Sequence, residues 1–328
     1  MLQLLKNNRA PGVIFTGILM VLVWLPSFIS LPEQPLQEGM PLYDLVFGGL
    51  AGLPIPRLLV SMLLFTMVMF LLVRLNVVHF LLEDRSYMPA AFFFMIAAAY
   101  PPALQVSPLL IASLALVAAL LILIRGEEHR AEPMALFNAS LLLALGSLFY
   151  LKTLLFIPFL WITASMIRPL KWRGIINPVL VLMMMALFLF TWYWVFLDDL
   201  ELMMTTLQNN WTFSLREFTI PELPLMVMFG YLLFLVLISS GYLLSRFQFR
   251  KIIIRKLYQV MFVLFVYCLL FYVFASGFRS EMMIMLAIPL SFLFSNFFHR
   301  RRNHWVHNLM IWIWLLLIAW IHLEPFLF

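Results

Sequence analysis

The sequence predicts an all-α protein, a polytopic transmembrane helical bundle of about 11 spans, with the N-terminus cytoplasmic and the C-terminus periplasmic. Three observations predict it. Only 11% of the 328 residues are charged and 65% are apolar, where a soluble domain has about a quarter charged and about half apolar. The mean hydropathy of +1.03 agrees. Nearly every stretch between charges reaches the ~20 apolar residues that a bilayer crossing needs. The longest polar connection, Leu197 to Glu222, leaves no room for a soluble domain, so residues 1–328 read as one integral membrane domain.

The sides of the membrane are assigned from the middle of the chain. A tight turn bearing Lys152 leads into a span from Thr153 to Ile167, and Arg168, Lys171 and Arg173 follow it. Cations accumulate on the cytoplasmic side, so this end is expected inside. The remaining segments then alternate around it.

Lys6 and Arg9 precede the first span, Val13 to Ser30; no small-residue cleavage site ends it, so it is expected to be retained. Leu31 to Pro56 carries Glu33, Glu38 and Asp44, five prolines and no cation, which suits the outer face. Within it, the apolar Tyr43 to Leu53 lies along the interface or dips into it. Arg57 to about Leu82 returns inward. Pro89 to Tyr100 is short for a span, and Pro101-Pro102 stops any helix there. It reads as a short or tilted span, with a re-entrant segment as the alternative.

Ser107-Pro108 makes a helix start, a capping hydroxyl followed by a proline in the first turn, and that helix runs to Ile124. Met134 to Tyr150 goes out, Thr153 to Ile167 returns, and Ile175 to Leu197 goes out again. Leu200, Met203, Met204, Leu207 and Trp211 then recur at a helical period, which predicts a helix lying on the outer surface. Leu223 to Leu244 returns to a basic turn, Leu257 to Ala275 goes out, Met282 to Phe298 returns to Arg300-Arg-Arg302, and Trp305 to His322 exits. The charge asymmetry supports this order: of 21 Lys and Arg only Arg57, Lys152, Arg216 and Arg279 fall outside, against ten of 15 acids.

Several function classes are disfavoured. The net charge of +6 collects in cytoplasmic loops and implies no nucleic-acid partner. The single cysteine, Cys268, admits no intrachain disulfide. No internal repeat suggests a transporter of two related halves, and no span carries a central acid or cation of the kind that marks an ion pathway. The histidines are scattered over both faces; His304 and His307 are a legal ligand pair on one helix face, but nothing completes them, so no metal site is expected.

The outer cations defy the rule that places the others. Each has a simple explanation, a long side chain reaching lipid phosphate or an outer acid. Together they permit a sharper one: a cavity in which cations neutralise a lipid-linked phosphate while a carboxylate acts as general base. Asp44 is the best-placed carboxylate, on the short apolar segment after the first span. Arg57, Lys152 and Arg279 are the candidate phosphate contacts. Asp198 and Asp199 stand at the head of the surface helix, where an acid favours the helix N-terminus.

The stretch Ser147-Leu-Phe-Tyr-Leu-Lys-Thr-Leu-Leu-Phe-Ile-Pro-Phe-Leu-Trp161 with Ile167-Arg-Pro-Leu-Lys-Trp-Arg173, and Arg85-Ser-Tyr-Met-Pro-Ala-Ala-Phe-Phe-Phe94 before it, resembles a family of bacterial multi-pass inner-membrane proteins that has no established activity. The layout is also similar to that of the GT-C glycosyltransferases, many-span enzymes with an acid in the first outer loop and a surface helix beside it. That likeness implies transfer of sugar from a polyprenyl-phosphate carrier, with Asp44 as the first-loop acid. It also allows a divalent metal, although the residues themselves imply no cofactor. The paired acidic motif of that family is missing here and the outer loops are short. The expected role is cell-envelope assembly in the bacterial inner (cytoplasmic) membrane, with membrane lipids and a polyprenyl-phosphate-linked substrate as partners. The alternatives are a non-catalytic subunit of an envelope or secretion complex and a lipid or solute transporter.

Overall fold

The structure, a computed structural model, describes residues 10–29, 40–50, 52–79, 86–128, 132–167, 169–170, 172–211, 222–274, 282–299 and 304–327. Among them there is no strand. The helices in chain order are α1 (Ala10–Ile29), α2 (Pro41–Phe47), α3 (Pro54–His79), α4 (Met88–Ala98), α5 (Pro108–Glu128), α6 (Glu132–Ser147), α7 (Ile157–Ile167), α8 (Trp172–Thr191), α9 (Leu200–Trp211), α10 (Leu223–Arg246), α11 (Ile252–Phe274), α12 (Met283–Phe298) and α13 (His304–Leu327). Each of the eleven expected apolar segments is a helix, and the two extra helices, α2 and α9, fall where an interfacial segment and a surface helix were expected. Seven (α1, α3, α5, α8, α10, α11 and α13) are long and apolar enough to cross a membrane, by length and composition. Four apolar helices are shorter: α4, α6, α12, and α7 with the 3₁₀ turn before it. The chain is a multi-pass helical membrane protein.

The short helices form the middle. All eleven residues of α4 are buried, as are fourteen of the sixteen in α12, and these two pack against each other. Eleven residues rise only about 16 Å, far less than the ~30 Å of hydrocarbon. Longer helices pack on the pair, α8 packs on α6 instead, and apolar side chains such as Leu63, Phe70, Leu187 and Leu237 are exposed. Rings knit the centre together. Trp24 of α1 stacks on Phe94 at 5.2 Å and meets Phe65 of α3 edge-on at 5.4 Å. Phe92 stacks on Phe298 at 5.1 Å and on Trp314 of α13 at 5.8 Å. Such pairs contribute about 0.5–1.5 kcal/mol each beyond the area they bury.

Two hydrogen bonds give the course of α4 relative to α3. Asn76, near the end of α3, donates to the Ser86 carbonyl just before α4 (3.1 Å), and Ser61, near the start of α3, donates to the Leu104 carbonyl just after it. The segment therefore enters beside one end of α3 and leaves beside the other. It runs antiparallel to α3, not as a hairpin returning to its own side. Its end carbonyl, on Ala98, accepts a hydrogen bond from His322 Nε2 of α13 at 3.0 Å, which assigns the proton to Nε2.

α4 and α6 end in the same way. Tyr100 and Tyr150 are both extended (φ −132°, ψ 97° and φ −146°, ψ 102°), and each is followed by a 3₁₀ turn, Pro101–Leu104 and Leu151–Phe156. α5 then starts at Pro108, as its sequence signal requires, with the Leu110 amide on Ser107 Oγ at 3.3 Å. α8 ends in one π turn, Trp192–Phe196, before Asp198 (φ 50°), a left-handed residue of a type that tolerates that conformation.

α5 and α6 approach closely through small residues, as helices packed in lipid do. A Cβ added to Gly146 would lie 2.9 Å from Ala115 Cβ and 3.3 Å from Thr153 Cγ2, whereas one added to Gly230 meets nothing within 4 Å. Alanine gains ~1 kcal/mol of helix propensity over glycine, but overpacking costs ~1–3 kcal/mol. Gly146→Ala is therefore expected to lower the thermal midpoint of the purified protein and Gly230→Ala to leave it unchanged or raise it. A raised midpoint for Gly146→Ala would exclude the close approach.

Candidate functional site

The candidate residues gather at one end of the bundle, where α2, the start of α3 and the two 3₁₀ turns meet. Pro41 starts α2 with the ring that suits a first turn, and α2 ends within two turns as Gly48 and Gly49 follow. One face of this short helix points into the protein. Tyr43 is 1% exposed and its hydroxyl donates to the Val106 carbonyl at 3.1 Å. The Met40 amide donates to the Phe149 carbonyl at 3.4 Å, and the Phe47 and Phe149 rings sit 6.4 Å apart. Asp44, the next residue after Tyr43, is on the exposed side of the same helix.

Arg57 stands in the first turn of α3, its amide on the Leu53 carbonyl at 3.2 Å, one turn before the Ser61 that holds Leu104. Its side chain is buried, 6% exposed. Lys152 lies in the Leu151–Phe156 turn and is also 6% exposed. Both cations are therefore buried within the protein. Beside Lys152, Thr153 is wholly buried, and its hydroxyl has no hydrogen-bond partner among the described residues. Arg279 and Arg216 lie outside the described residues, as do Glu33 and Glu38.

The surface helix closes this end. α9 packs on the Leu151–Phe156 turn, with Met203 and Leu207 against a cluster of Met40, Leu148, Leu151 and Tyr193. None of its residues is buried, and Leu200, Met204 and Trp211 turn outward. Its start is capped by Asp199, whose Oδ1 accepts from the Leu202 amide at 2.7 Å, so this acid serves the helix as expected.

Among the described residues no group of three His, Cys, Asp or Glu could hold a metal ion. His307 is buried against the Phe297 and Phe298 rings, 5.0 and 5.4 Å away, and His322 serves the α4 end. The side chains of His79, His129 and His304 lie outside the described residues.

The arrangement thus brings Asp44, Arg57 and Lys152 to one end, the carboxylate exposed and the two cations buried. Sequence reasoning missed Tyr43, Ser61 and Thr153, the hydroxyl groups of the same end. Three hydroxyls on apolar segments carry no signal until their carbonyl partners are known. Comparison with family models, with curated proteins and with solved structures found no match for the chain.

The joining of α2 to the 148–150 turn is open to a direct check. With Cys268 replaced by alanine, Met40→Cys and Phe149→Cys should form a disulfide on mild oxidation, since linked residues need Cα atoms within about 7 Å. Met40→Cys paired with Ser245→Cys, at the far end of α10, should not. Failure of the first pair to crosslink in a folded protein would separate α2 from the turn.

Proposed function

We propose that the chain is an inner-membrane protein of bacterial cell-envelope assembly that transfers sugar from a polyprenyl-phosphate carrier at the Asp44 end. The observation that carries this reading is the gathering of one exposed acid and two buried cations on α2, α3 and the Leu151–Phe156 turn. Cations held out of water act on a phosphate far more strongly than solvated ones. In a membrane protein, irregular backbone at depth persists where it is enclosed or lines a cavity.

In this reading the acceptor hydroxyl loses its proton to the Asp44 carboxylate as its oxygen attacks the anomeric carbon. The bond from that carbon to the phosphate oxygen breaks, and the polyprenyl phosphate leaves with the bonding pair. Arg57 and Lys152 neutralise the phosphate as its charge grows, with Arg279 as a third proposed contact. The buried Thr153 hydroxyl, adjacent to Lys152, is a further donor for a phosphate oxygen. No step is routed through a metal.

A second reading has its own observation. α9 is amphipathic, unburied and rich in outward apolar residues, which suits docking of a partner in an envelope complex. The two readings separate in one experiment. A deletion strain is complemented with Asp44→Asn and with Lys152→Ala, protein levels are matched, and lipid-linked saccharides are profiled. The transferase reading expects both variants to accumulate normally, to fail, and to leave a lipid-linked intermediate. Full complementation by both would end it and favour the docking role.

A further inference from the structure

At the opposite end of the bundle the protein has a second feature, independent of the transferase reading. α10 and α11 each pack on α12, and between them lies a cavity of about 440 Å³. Its volume falls in the ~300–1,000 Å³ range of small-molecule sites. Its walls are almost entirely apolar: Leu243 and Phe247 from α10 and the turn after it, Met261 and Phe262 from α11, and Leu290 and Leu293 from α12. Leu244 and Phe262, on its two flanking helices, are exposed, so the cavity opens sideways between α10 and α11. In a bilayer the material facing that opening is hydrocarbon. An apolar void left empty forfeits dispersion contacts along its whole lining, and a lipid tail restores them.

The turn that joins α10 to α11 gives this tail a headgroup. Arg246-Phe-Gln-Phe-Arg-Lys-Ile-Ile-Ile-Arg-Lys256 holds five cations and no acid. Three of them, Lys251, Arg255 and Lys256, stand at the start of α11, where the helix end is itself positive and would favour an anion. Nothing acidic occurs in its first turn. Two of the cations are held beside the cavity. The Arg250 guanidinium lies 5.1 Å from the centre of the Tyr258 ring, which lines the cavity, and it donates to Asn296 Oδ1. Lys256 Nζ donates to the Ile167 carbonyl at 2.6 Å, next to Met166 of the lining. Asn296 follows Leu290 and Leu293 on one face of α12, by the helical spacing. It is 5% exposed, and its Nδ2 has no acceptor among the described residues, which leaves a buried donor beside the guanidinium.

We propose that this cavity binds one anionic phospholipid, its acyl chain between α10 and α11 and its phosphate on Arg250, with Asn296 and the basic turn around it. Cations at membrane ends commonly meet bulk anionic lipid. What distinguishes this place is that an oriented guanidinium, a leftover amide donor and an apolar cavity meet within one turn of α12.

The test uses the full-length protein, purified in mild detergent and reconstituted with phosphatidylglycerol or phosphatidylcholine of matched chains, with retained lipid counted by native mass spectrometry. One phosphatidylglycerol should be retained in preference to phosphatidylcholine by roughly tenfold, as several cations near one phosphate imply. Arg250→Gln, at a partly exposed position, should remove the preference in a protein that still folds, with its helical circular dichroism unchanged. Ser240→Trp, which fills the cavity from α10, should remove the retained lipid itself. Equal retention of the two lipids by the unaltered protein would overturn the site. So would a preference that survives both substitutions, since it would then belong to bulk lipid on the basic turn. Preferential retention of a single-chain polyprenyl phosphate over phosphatidylglycerol would overturn the assigned occupant.

Discussion

Backbone polar groups inside a bilayer have no water to bond, and this one constraint explains the centre of the molecule. Between Ala98 and Pro108 the chain stops being α-helical while still enclosed by other helices. Three carbonyls there find a side chain from elsewhere: His322 of α13 for Ala98, Ser61 of α3 for Leu104, Tyr43 of α2 for Val106. Ser107 takes the first amide of α5. Leaving such a group unpaired costs about 1–3 kcal/mol, so the break binds α2, α3 and α13 to α4 as firmly as ring packing does. The same solution recurs outside the break, where Tyr267 donates to Leu155, Lys256 to Ile167 and Tyr231 to Met310.

The break also shapes the candidate site. α4 is short, its 3₁₀ extension carries the chain on toward α5, and a matching turn follows α6. Tyr43 anchors α2 to one of these turns and Met40 anchors it to the other. That double attachment sets a short helix across the end of the bundle, with Asp44 outward and the cations of α3 and the second turn buried. An acid and two cations far apart in sequence thus share one end because the backbone there must be satisfied by side chains.

Much of this was legible in the sequence because helix length and helix starts are local. Ser107-Pro108 and Asp199 stand at helix starts as their chemistry predicts, and the period of Leu200, Met203, Met204, Leu207 and Trp211 gives a helix on the outside of the bundle. What hydropathy does not encode is which apolar helix faces lipid. Lipid tails are as apolar as leucine, so burial carries no compositional mark. The Pro89–Tyr100 segment consequently reads as a poor span, although every residue of its helix is buried. Lys152 and Arg57 were recognisable as misplaced cations, but their burial follows from turns whose geometry depends on distant partners. The cavity at the basic end was illegible for the same reason, being framed by three helices that meet only in the fold.

Hydrogen exchange followed by mass spectrometry, on the protein in detergent or nanodiscs, tests the central claim most directly. If the break is sealed by its side-chain partners, amides of residues 99–107 exchange slowly, close to those of α4, and Ser61→Ala together with Tyr43→Phe speeds exchange there while α12 stays protected. Fast exchange across 99–107 in the unaltered protein, or no response to the double substitution, would contradict it.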